Sequence, residues 1–301
     1  MEGAPELRIV QSDNLPFLRA AAPESYELIY VDPPFNTGKR QRLKSLETVR
    51  DEDGDRTGFA GKRYRSRVRS EIGYEDAYDD YLAFLAPRLE EAARLLVPTG
   101  SLFVHLDPRE AHYVKVFLDG LFGRASFQNE IVWAYDYGAR TRKRWSAKHD
   151  TILWYTRDPA DYTYRYDDID RVPYMAPKLA GKAKAARGKT PTDVWWQTIV
   201  PPGGKERTGY PSQKPLAILE RIVRVHSHPG DRVLDFFAGS GTTGEAAVRH
   251  GRHCTLVDRH PEAVRVMRER LAFADPVVEV LAADRASSGA RETVGEADGG
   301  S

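Results

Sequence analysis

Cysteine is nearly absent from this chain of 301 residues, with Cys254 as the one example. A disulfide framework and a cysteine-rich zinc site are therefore excluded, and we expect a reducing compartment. The eight histidines are scattered without ligand spacing, which predicts no metal site. No apolar run approaches the roughly 20 residues of a membrane span, and the short polar opening Met1–Arg8 lacks the pattern of a leader. These absences predict a cytoplasmic protein with no membrane partner.

Net charge is also close to absent, at +1, and so says nothing about partners by itself. Its distribution is more informative, because arginine and lysine gather in two segments. The apolar fraction of 41% and the charged fraction of 30% are ordinary for a globular protein. The length suffices for one large α/β domain or two small ones.

Runs of strand composition alternate with helical periodicity along most of the chain, which predicts an α/β fold with a mostly parallel sheet covered on both faces. The opening LRIVQSDNLPFL followed by YELIYVD indicates a strand, a turn and a second buried strand. Residues 39–73 lack periodicity and carry many charges, which predicts a mobile surface loop. Residues 158–207 interrupt the alternation and form a candidate recognition insert, and the polar tail 284–301 is predicted to be disordered.

A glycine turn, VLDFFAGSGTTG at 233–244, follows a predicted strand and opens a predicted helix. Gly239, Gly241 and Gly244 match the dinucleotide pattern G-x-G-x-x-G, so a nicotinamide enzyme fits, as does a purely structural turn. A phosphate-binding P-loop is disfavoured because no lysine follows the glycines.

Asp235 favours a different ligand for this turn. A carboxylate just ahead of the glycines would repel a pyrophosphate, but it suits a positive amino group such as that of S-adenosylmethionine. Asp258 ends the next strand and could accept from ribose hydroxyls, although capping the helix that begins near His260 explains it equally well.

The second turn with chemical potential is DPPF at 32–35, which ends the apolar run IYV. Proline fixes φ near −65° and removes an N–H, so the Asp32 carboxylate and the Pro33 carbonyl form a stiff pair of acceptors. Such a pair could hold both hydrogens of an exocyclic amine and leave its lone pair free to attack a methyl sulfonium. Phe35 offers a ring on which a base could stack. An ordinary Asp-Pro turn would also fit these residues.

Together, DPPF and FAGSG at 237–241 resemble the S-adenosylmethionine-dependent amino-methyltransferases of DNA. Their order, with the catalytic motif first, is that of the β class, and TGYPSQKPLAILERIV at 208–223 resembles the segment before its cofactor loop. The resemblance implies a circularly permuted, Rossmann-like methyltransferase sheet with a small target-recognition insert. It divides the chain into a catalytic half (1–157), the insert (158–207) and a cofactor half (208–283).

The resemblance also implies the roles of particular residues. Asp32, Pro33, Pro34 and Phe35 would be catalytic. The residues implied to hold S-adenosylmethionine are Asp13, Lys214, Pro215, Asp235, Phe237, Ala238, Gly239, Ser240, Gly241, Thr242 and Asp258. Of these, Asp13 would touch the adenine of the cofactor or else form a simple Asx turn. The chain departs from the family in having Phe236 where proline often follows the motif aspartate.

The DPPF motif favours adenine N6 as the methyl acceptor, since cytosine-N4 enzymes of this class usually carry serine in place of the aspartate. Cytosine N4 nevertheless stays open as a target. Cytosine C5 chemistry needs a thiolate, and Cys254 begins an apolar strand far from Pro33 in the sequence. A nicotinamide dehydrogenase and a catalytically silent DNA-binding module also stay open at this point.

The resemblance implies double-stranded DNA as the partner. The target base must leave the double helix to reach such a site. Two basic clusters could bind phosphates, or could be solvated surface. They comprise Arg63, Arg65, Arg67 and Arg69 in the first, and Arg140, Arg142, Lys143 and Arg144 in the second. The resemblance leaves open a homodimer and a companion restriction endonuclease.

Overall fold

This computed structural model describes residues 4–36, 78, 80–138, 140–201 and 203–281, and the backbone alone of 39–50, 56–57 and 63–76. The predicted tail 284–301 lies outside the described residues. The described strands are β1 (Leu7–Gln11), β2 (Tyr26–Val31), β3 (Lys39–Arg50), β4 (Arg56–Thr57), β5 (Arg63–Asp76), β6 (Leu96–Leu106), β7 (Phe127–Ala134), β8 (His149–Thr156), β9 (Val194–Trp196), β10 (Arg232–Asp235), β11 (His253–Asp258) and β12 (Val277–Val280).

Most of the described helices connect strands of the large sheet. The described helices are α1 (Asn14–Ala20), α2 (Tyr81–Leu95), α3 (Ala111–Phe122), α4 (Pro177–Ala180), α5 (Lys182–Arg187), α6 (Leu216–His226), α7 (Thr242–Arg249) and α8 (Pro261–Arg270). Among the described residues, no helix combines the length and the apolar character that crossing a membrane requires.

Nine strands form one sheet in the order β12-β1-β11-β10-β2-β6-β8-β7-β9. Neighbouring strands from β12 to β6 are parallel, and within the described sheet β8 is the strand that runs against the others. Strand β10 pairs with β2, with Val233 opposite Leu28, although the two strands lie about 200 residues apart in sequence. We call the edge at which the parallel strands end the carboxyl edge. The predicted α/β sheet is confirmed.

Two apolar layers cover the faces of this sheet. Helices α6, α7 and α8 pack on one face through residues such as Ile222, together with Leu28 and Tyr30 of β2. Helices α1, α2 and α3 pack on the other face, together with Ile29 and Val31 of the same strand. Successive side chains of a strand point to opposite faces, so a run such as LIYV is apolar throughout when both faces are buried.

Two details of the predicted organisation are wrong. The segment after β1 is helix α1 rather than a turn, because the Asp13 carboxylate caps it by accepting from Leu15 N at 3.0 Å. Within the predicted mobile loop 39–73, β3 and β5 pair antiparallel and β4 joins β5. The arginines of 63–69 recur at every second position, the period of a strand, and the density of charge hid this pattern.

The candidate insert 158–207 contains α4, α5 and β9, and its anchors to the main body include a strand pairing and an ion pair. Strand β9 extends the large sheet by pairing with β7. Asp170 accepts from Arg221 Nε at 3.0 Å and also binds Arg224, both on α6. Burial would raise the pKa of Asp170, but the hydrogen bonds and charges of the two arginines hold it below its usual value.

Candidate active site

The carboxyl edge brings together acidic residues that are far apart in sequence. Asp32 follows β2, Asp235 ends β10 and Asp258 ends β11, while Asp13 stands two residues after β1. Because all four strands are parallel, these carboxylates reach the same edge of the sheet. A cleft opens there, in the crevice where open α/β sheets bind ligands.

Most of the predicted site residues line this cleft. On its wall are Asp13, Asp32, Pro34, Lys214, Asp235, Phe237, Ala238, Gly239, Ser240, Thr242 and Asp258. Four predicted residues are not part of the described wall, namely Pro33, Phe35, Pro215 and Gly241. Pro33 is buried in the turn, while Pro215 and Gly241 precede α6 and α7. The predicted catalytic and cofactor turns therefore face one cavity.

Lys214 joins the two turns across the cleft. Its ammonium donates to Oδ2 of Asp32 and lies 4.7 Å from the centre of the Phe35 ring. Its carbonyl oxygen accepts from the Thr242 hydroxyl at 3.3 Å. The other oxygen of Asp32, Oδ1, is buried and has no hydrogen-bond partner among the described residues. A buried acceptor without a partner is costly, so this oxygen suits a donor on a ligand.

Local geometry accounts for each of the three glycines in the turn 239–244. Gly239 and Gly241 have φ of +50° and +74°, a backbone region that residues other than glycine rarely adopt. A Cβ on Gly244 would lie 2.6 Å from Leu256 Cδ1, so glycine lets α7 pack closely on β11. These are the conditions for a turn over which backbone amides approach a ligand.

Asp235 is buried behind this turn, with 3% of its surface exposed. It accepts from Phe237 N at 3.0 Å and from the Thr243 hydroxyl at 2.6 Å. Burial raises the pKa of this carboxyl to about 7, although these two donors oppose the shift. A cation bound nearby would favour the ionised form of this carboxyl, so the site is compatible with a cationic ligand.

Asp258 holds the glycine turn against the end of β11. One carboxylate oxygen accepts from Gly239 N at 2.9 Å and the other from His260 N at 2.9 Å. The helix-capping interpretation is wrong, because His260 is the N-cap of α8 and Asp258 accepts from the N–H of that residue rather than from an N–H inside the helix. A carboxylate has about four acceptor positions, so ribose hydroxyls could still bind it.

The lining of the cleft also contains residues that were not predicted from the sequence. Arg88 on α2 donates to Asn14 Oδ1 at 2.6 Å, lies 4.1 Å over the Phe84 ring and is 3.6 Å from Asp13. Asn14 in turn donates to the carbonyl of Phe236 at 2.8 Å. Burial lowers the pKa of Arg88. Further unpredicted residues of the wall include Tyr30, Tyr78, Tyr210, Ser212 and Thr243.

A buried network of hydrogen-bonded side chains lies behind the DPPF turn. The Tyr30 hydroxyl is 2.7 Å from His105 Nδ1, and His105 Nε2 is 3.1 Å from Asp150. Asp150 also accepts from the Tyr135 hydroxyl at 3.0 Å, and the His105 ring lies 5.8 Å from that of Phe35. These hydrogen-bonded side chains were not predicted from the sequence.

Burial and neighbouring groups fix the protonation states of Tyr30 and Asp150 in this network. Burial raises the pKa of Tyr30 far above its usual value, with further contributions from nearby carboxylates, so its hydroxyl stays protonated. Burial would raise the pKa of Asp150 as well, but the hydrogen bond from His105 leads the effects that lower it. Asp150 is therefore an ionised acceptor at neutral pH.

The second basic cluster is exposed on the loop between β7 and β8, where Arg140 pairs with Asp136 at 2.6 Å. The side chains of the first cluster, Arg63 to Arg69, lie outside the described residues, although their backbone belongs to β5. Their predicted DNA contacts stay predictions.

A family model described as DNA methylase matches residues 26–269. The Type II methyltransferase M.HpaI of Haemophilus parainfluenzae is 30% identical over 264 residues, which cover 88% of this chain and 74% of that protein. The DNA adenine methyltransferase YhdJ of Escherichia coli (strain K12) is 28% identical, over 88% of this chain and 83% of its own.

Two solved structures resemble the fold. The complex M1.HpyAVI-SAM has a TM-score of 0.56 at 20% identity and covers 88% of this chain and 98% of its own. The PvuII DNA methyltransferase, described as cytosine-N4-specific, has a TM-score of 0.62 at 16% identity, over 92% of this chain and 96% of that chain. At such identities the likeness speaks for the fold alone.

Proposed function

Because the chain belongs to the family of S-adenosylmethionine-dependent DNA methylases that act on N6 and N4 amino groups, we propose that it methylates N6 of adenine in DNA. The membership confirms the resemblance that DPPF, FAGSG and the segment 208–223 indicate. It also removes the nicotinamide dehydrogenase from consideration. The proposal concerns the target base and the residues that act on it.

One observation carries the proposal: Asp32 and the Asp235–Gly239 turn line the same cleft at the ends of neighbouring strands. A methyl group can pass between two ligands only when both are bound side by side. Placement of the two turns on opposite faces of the molecule would have excluded transfer.

The residues around the glycine turn fit S-adenosylmethionine, which supplies an electrophilic methyl group when bound. Asp235, buried and with a raised pKa, would hold the amino group of the methionine end. Asp258 would accept from the ribose, and the Asp13 and Arg88 wall would border the adenine. The ammonium of Lys214 would then be shared between Asp32 and the carboxylate of the cofactor.

The catalytic turn would act on the amino group by holding its hydrogens. The unpartnered Oδ1 of Asp32 and the carbonyl of Pro33 would each accept one N–H, which keeps the nitrogen lone pair directed at the methyl group. Acceptors preorganised in this way act where charge develops in the transition state, and such effects are commonly worth about 10²–10³ in rate. Phe35 would stack on the base.

Adenine is favoured over cytosine for two reasons. The motif carries Asp32 where cytosine-N4 enzymes usually carry serine, and one relative in sequence is named a DNA adenine methyltransferase. The cytosine-N4-specific neighbour shares the fold at 16% identity, which does not extend to the target base.

The insert 158–207 is proposed to read the DNA sequence, since it extends the sheet beside β7 at the carboxyl edge. Base edges in the major groove carry the sequence information, while phosphates fix the register. The Type II names of relatives support a companion endonuclease with the same target, and a homodimer is a further proposal. Sedimentation of the purified protein would test the dimer.

Single-molecule sequencing of DNA from cells that express this chain tests the proposal, because it reports the modified base and its sequence context together. N6-methyladenine in a short motif is expected, with no modification from the Asp32→Ala variant. Digestion to nucleosides and mass spectrometry identify the product independently. N4-methylcytosine as the sole product would contradict the choice of adenine.

A further inference from the structure

Trp145 presents almost its whole side chain to solvent, with 98% of its surface exposed. Arg142, Lys143 and Arg144 precede it directly and are also exposed. A large aromatic ring in water among cations is unusual, because burying it would be favourable. Aromatic rings beside basic residues are the combination that binds nucleic-acid bases and phosphates.

Two hydrogen bonds constrain the described part of the loop that carries Trp145. At its base, Tyr135 N donates to the carbonyl of Lys148 at 2.9 Å, continuing the β7–β8 ladder. Near its tip, Thr141 N donates to the Ser146 hydroxyl at 3.0 Å. This second bond closes a turn, so Arg142 to Trp145 form the projecting end of the loop.

The loop projects from the carboxyl edge of the sheet. Strand β7 ends there with Ala134 opposite His149, and Thr151 of β8 lies opposite Leu106 at the end of β6. The same edge carries Asp32 at the end of β2, since β2 and β6 are parallel neighbours.

The base of the loop is also tied to the catalytic turn. Tyr135 donates to Asp150, which binds His105, and the His105 ring lies against that of Phe35. These contacts thus fix the base of the Trp145 loop relative to Phe35, on which the target base is proposed to stack.

We propose that Trp145 enters the DNA duplex and stacks on the base pair beside the position that the target base leaves. The inference rests on the proposed function. Arg142, Lys143 and Arg144 would contact the flanking phosphates, while the indole replaces the stacking that the target base gives up when it rotates out. Extrusion costs a few kcal/mol, and aromatic stacking returns about 1–3 kcal/mol per base.

Two duplexes test the role of the ring. Both carry the recognition sequence, and in the second an abasic site replaces the partner of the target base, which removes the cost of breaking the pair. Methylation of each is measured with the unaltered enzyme and with Trp145→Ala, Trp145→Phe and Arg144→Ala. Phe273→Ala is the matched control, because Phe273 is also exposed but follows α8 and precedes β12, at the opposite edge of the sheet.

On the paired duplex, Trp145→Ala should lower kcat/KM by about 5- to 100-fold, and Trp145→Phe should keep most of the rate. On the abasic duplex the Trp145→Ala rate should return close to that of the unaltered enzyme. Arg144→Ala should be impaired equally on both duplexes, because a phosphate contact does not depend on base pairing. Phe273→Ala should behave as the unaltered enzyme.

The inference is overturned if Trp145→Ala keeps the full rate on paired DNA, or loses the same factor on both duplexes. In either case the unaltered enzyme still methylates DNA and the proposed function stands. An unaltered enzyme that methylates neither duplex would instead remove the proposed function, and this inference with it.

Discussion

The ammonium of Lys214 binds the carboxylate of Asp32 across 182 positions of sequence, at the centre of the proposed active site. Both side chains are mostly buried, with exposed fractions of 8% and 16%. Breaking a buried pair from one side leaves an uncompensated charge and costs about 3–5 kcal/mol when burial is complete. The pair therefore ties the catalytic turn to the segment before α6.

A double-mutant cycle should measure how strongly Lys214 and Asp32 stabilise the fold as a pair. Lys214→Met and Asp32→Asn each leave one charge without its partner, so each should lower the free energy of unfolding. The double variant should be less destabilised than the sum of the two, by about 1–3 kcal/mol. Urea unfolding of the four proteins measures the coupling, and strict additivity would show that the pair contributes nothing.

Glycine at position 244 is expected to be required for the packing of α7. An added Cβ would lie 2.6 Å from Leu256 Cδ1, so Gly244→Ala should destabilise the fold by about 1–3 kcal/mol. Gly120 within α3 is the matched control, because an added Cβ there meets nothing within 4 Å. Gly120→Ala should stabilise by about 0.5–1 kcal/mol, since alanine favours the helix. Equal effects of the two changes on thermal unfolding would contradict the packing argument.

Asp235 should link binding of the cofactor to pH. Its pKa of about 7 keeps the carboxyl neutral at pH 6, and a bound ammonium would favour the ionised form. Binding of S-adenosylmethionine at pH 6 should thus release a proton, which calorimetry in buffers of different ionisation enthalpy detects. Asp235→Asn should bind more weakly and abolish this release. Identical proton release from both proteins would assign it to another group.

The same carboxyl should affect stability in the free enzyme. Its folded pKa of about 7 exceeds the ordinary value of 3.8, so ionisation favours the unfolded chain. Asp235 should therefore lower the free energy of unfolding progressively as the pH rises from about 4 to about 7, with no further loss above that range. The Asp235→Asn variant should lack this contribution, which denaturant titrations at several pH values would show.

His105 is expected to act as a positioning residue for the catalytic turn. His105→Phe leaves the Tyr30 hydroxyl and one oxygen of Asp150 without their partner, which should cost about 1–3 kcal/mol for each group. The pKa of Asp150 is lowered in the fold, so its part of this stabilisation is lost as the pH falls through that pKa. The difference between the two proteins should accordingly shrink in acid. A difference in the free energy of unfolding that stays constant across pH would show that Asp150 does not contribute to it.

Tyr30→Phe serves as the comparison for that change. It removes the hydroxyl from His105 but keeps the bond to Asp150, so it should be milder than His105→Phe. If the hydrogen bonds of His105 fix its ring, and with it Phe35, in place, His105→Phe should lower kcat by more than it changes the KM for DNA. The opposite split would indicate a purely structural role.

The first basic cluster is predicted to bind phosphates without regard to sequence. Replacement of Arg63, Arg65, Arg67 and Arg69 by alanine should weaken binding of every DNA and flatten its salt dependence. The slope of log K against log salt should fall by about 0.9 for each phosphate that the variant no longer binds. An unchanged slope would show that these arginines do not contact DNA.

The turns could be found in the sequence because each needs consecutive residues of fixed type. DPPF and the glycine turn are short motifs of consecutive residues. The sheet topology then brings Asp32 and Asp235 together. Arg88 also left a signal, because it stands at helical spacing with the buried Leu85 and Leu89 of α2. A cation on the apolar side of a helix indicates a buried contact.

The His105–Asp150 pair could not be found in the same way. The partners lie 45 residues apart and meet because β8 runs antiparallel to β6 in one particular register. Nothing in the sequence next to either residue marks the other as its partner. The β3–β5 pairing was likewise hidden, since charged strands lack the apolar alternation that identifies a half-buried strand.

The order of the sheet also bears on how the chain can fold during synthesis. Strands β1 and β2 are made before β10 and β11, yet β11 and β10 occupy the space between them. Both edges of that gap stay open until about residue 258 has been made, and open strand edges invite wrong pairing with neighbouring chains. Contacts so distant in sequence also slow folding. Until β10 and β11 have been made, the growing chain therefore carries a half-sheet with two open strand edges, the kind of species that is prone to aggregation.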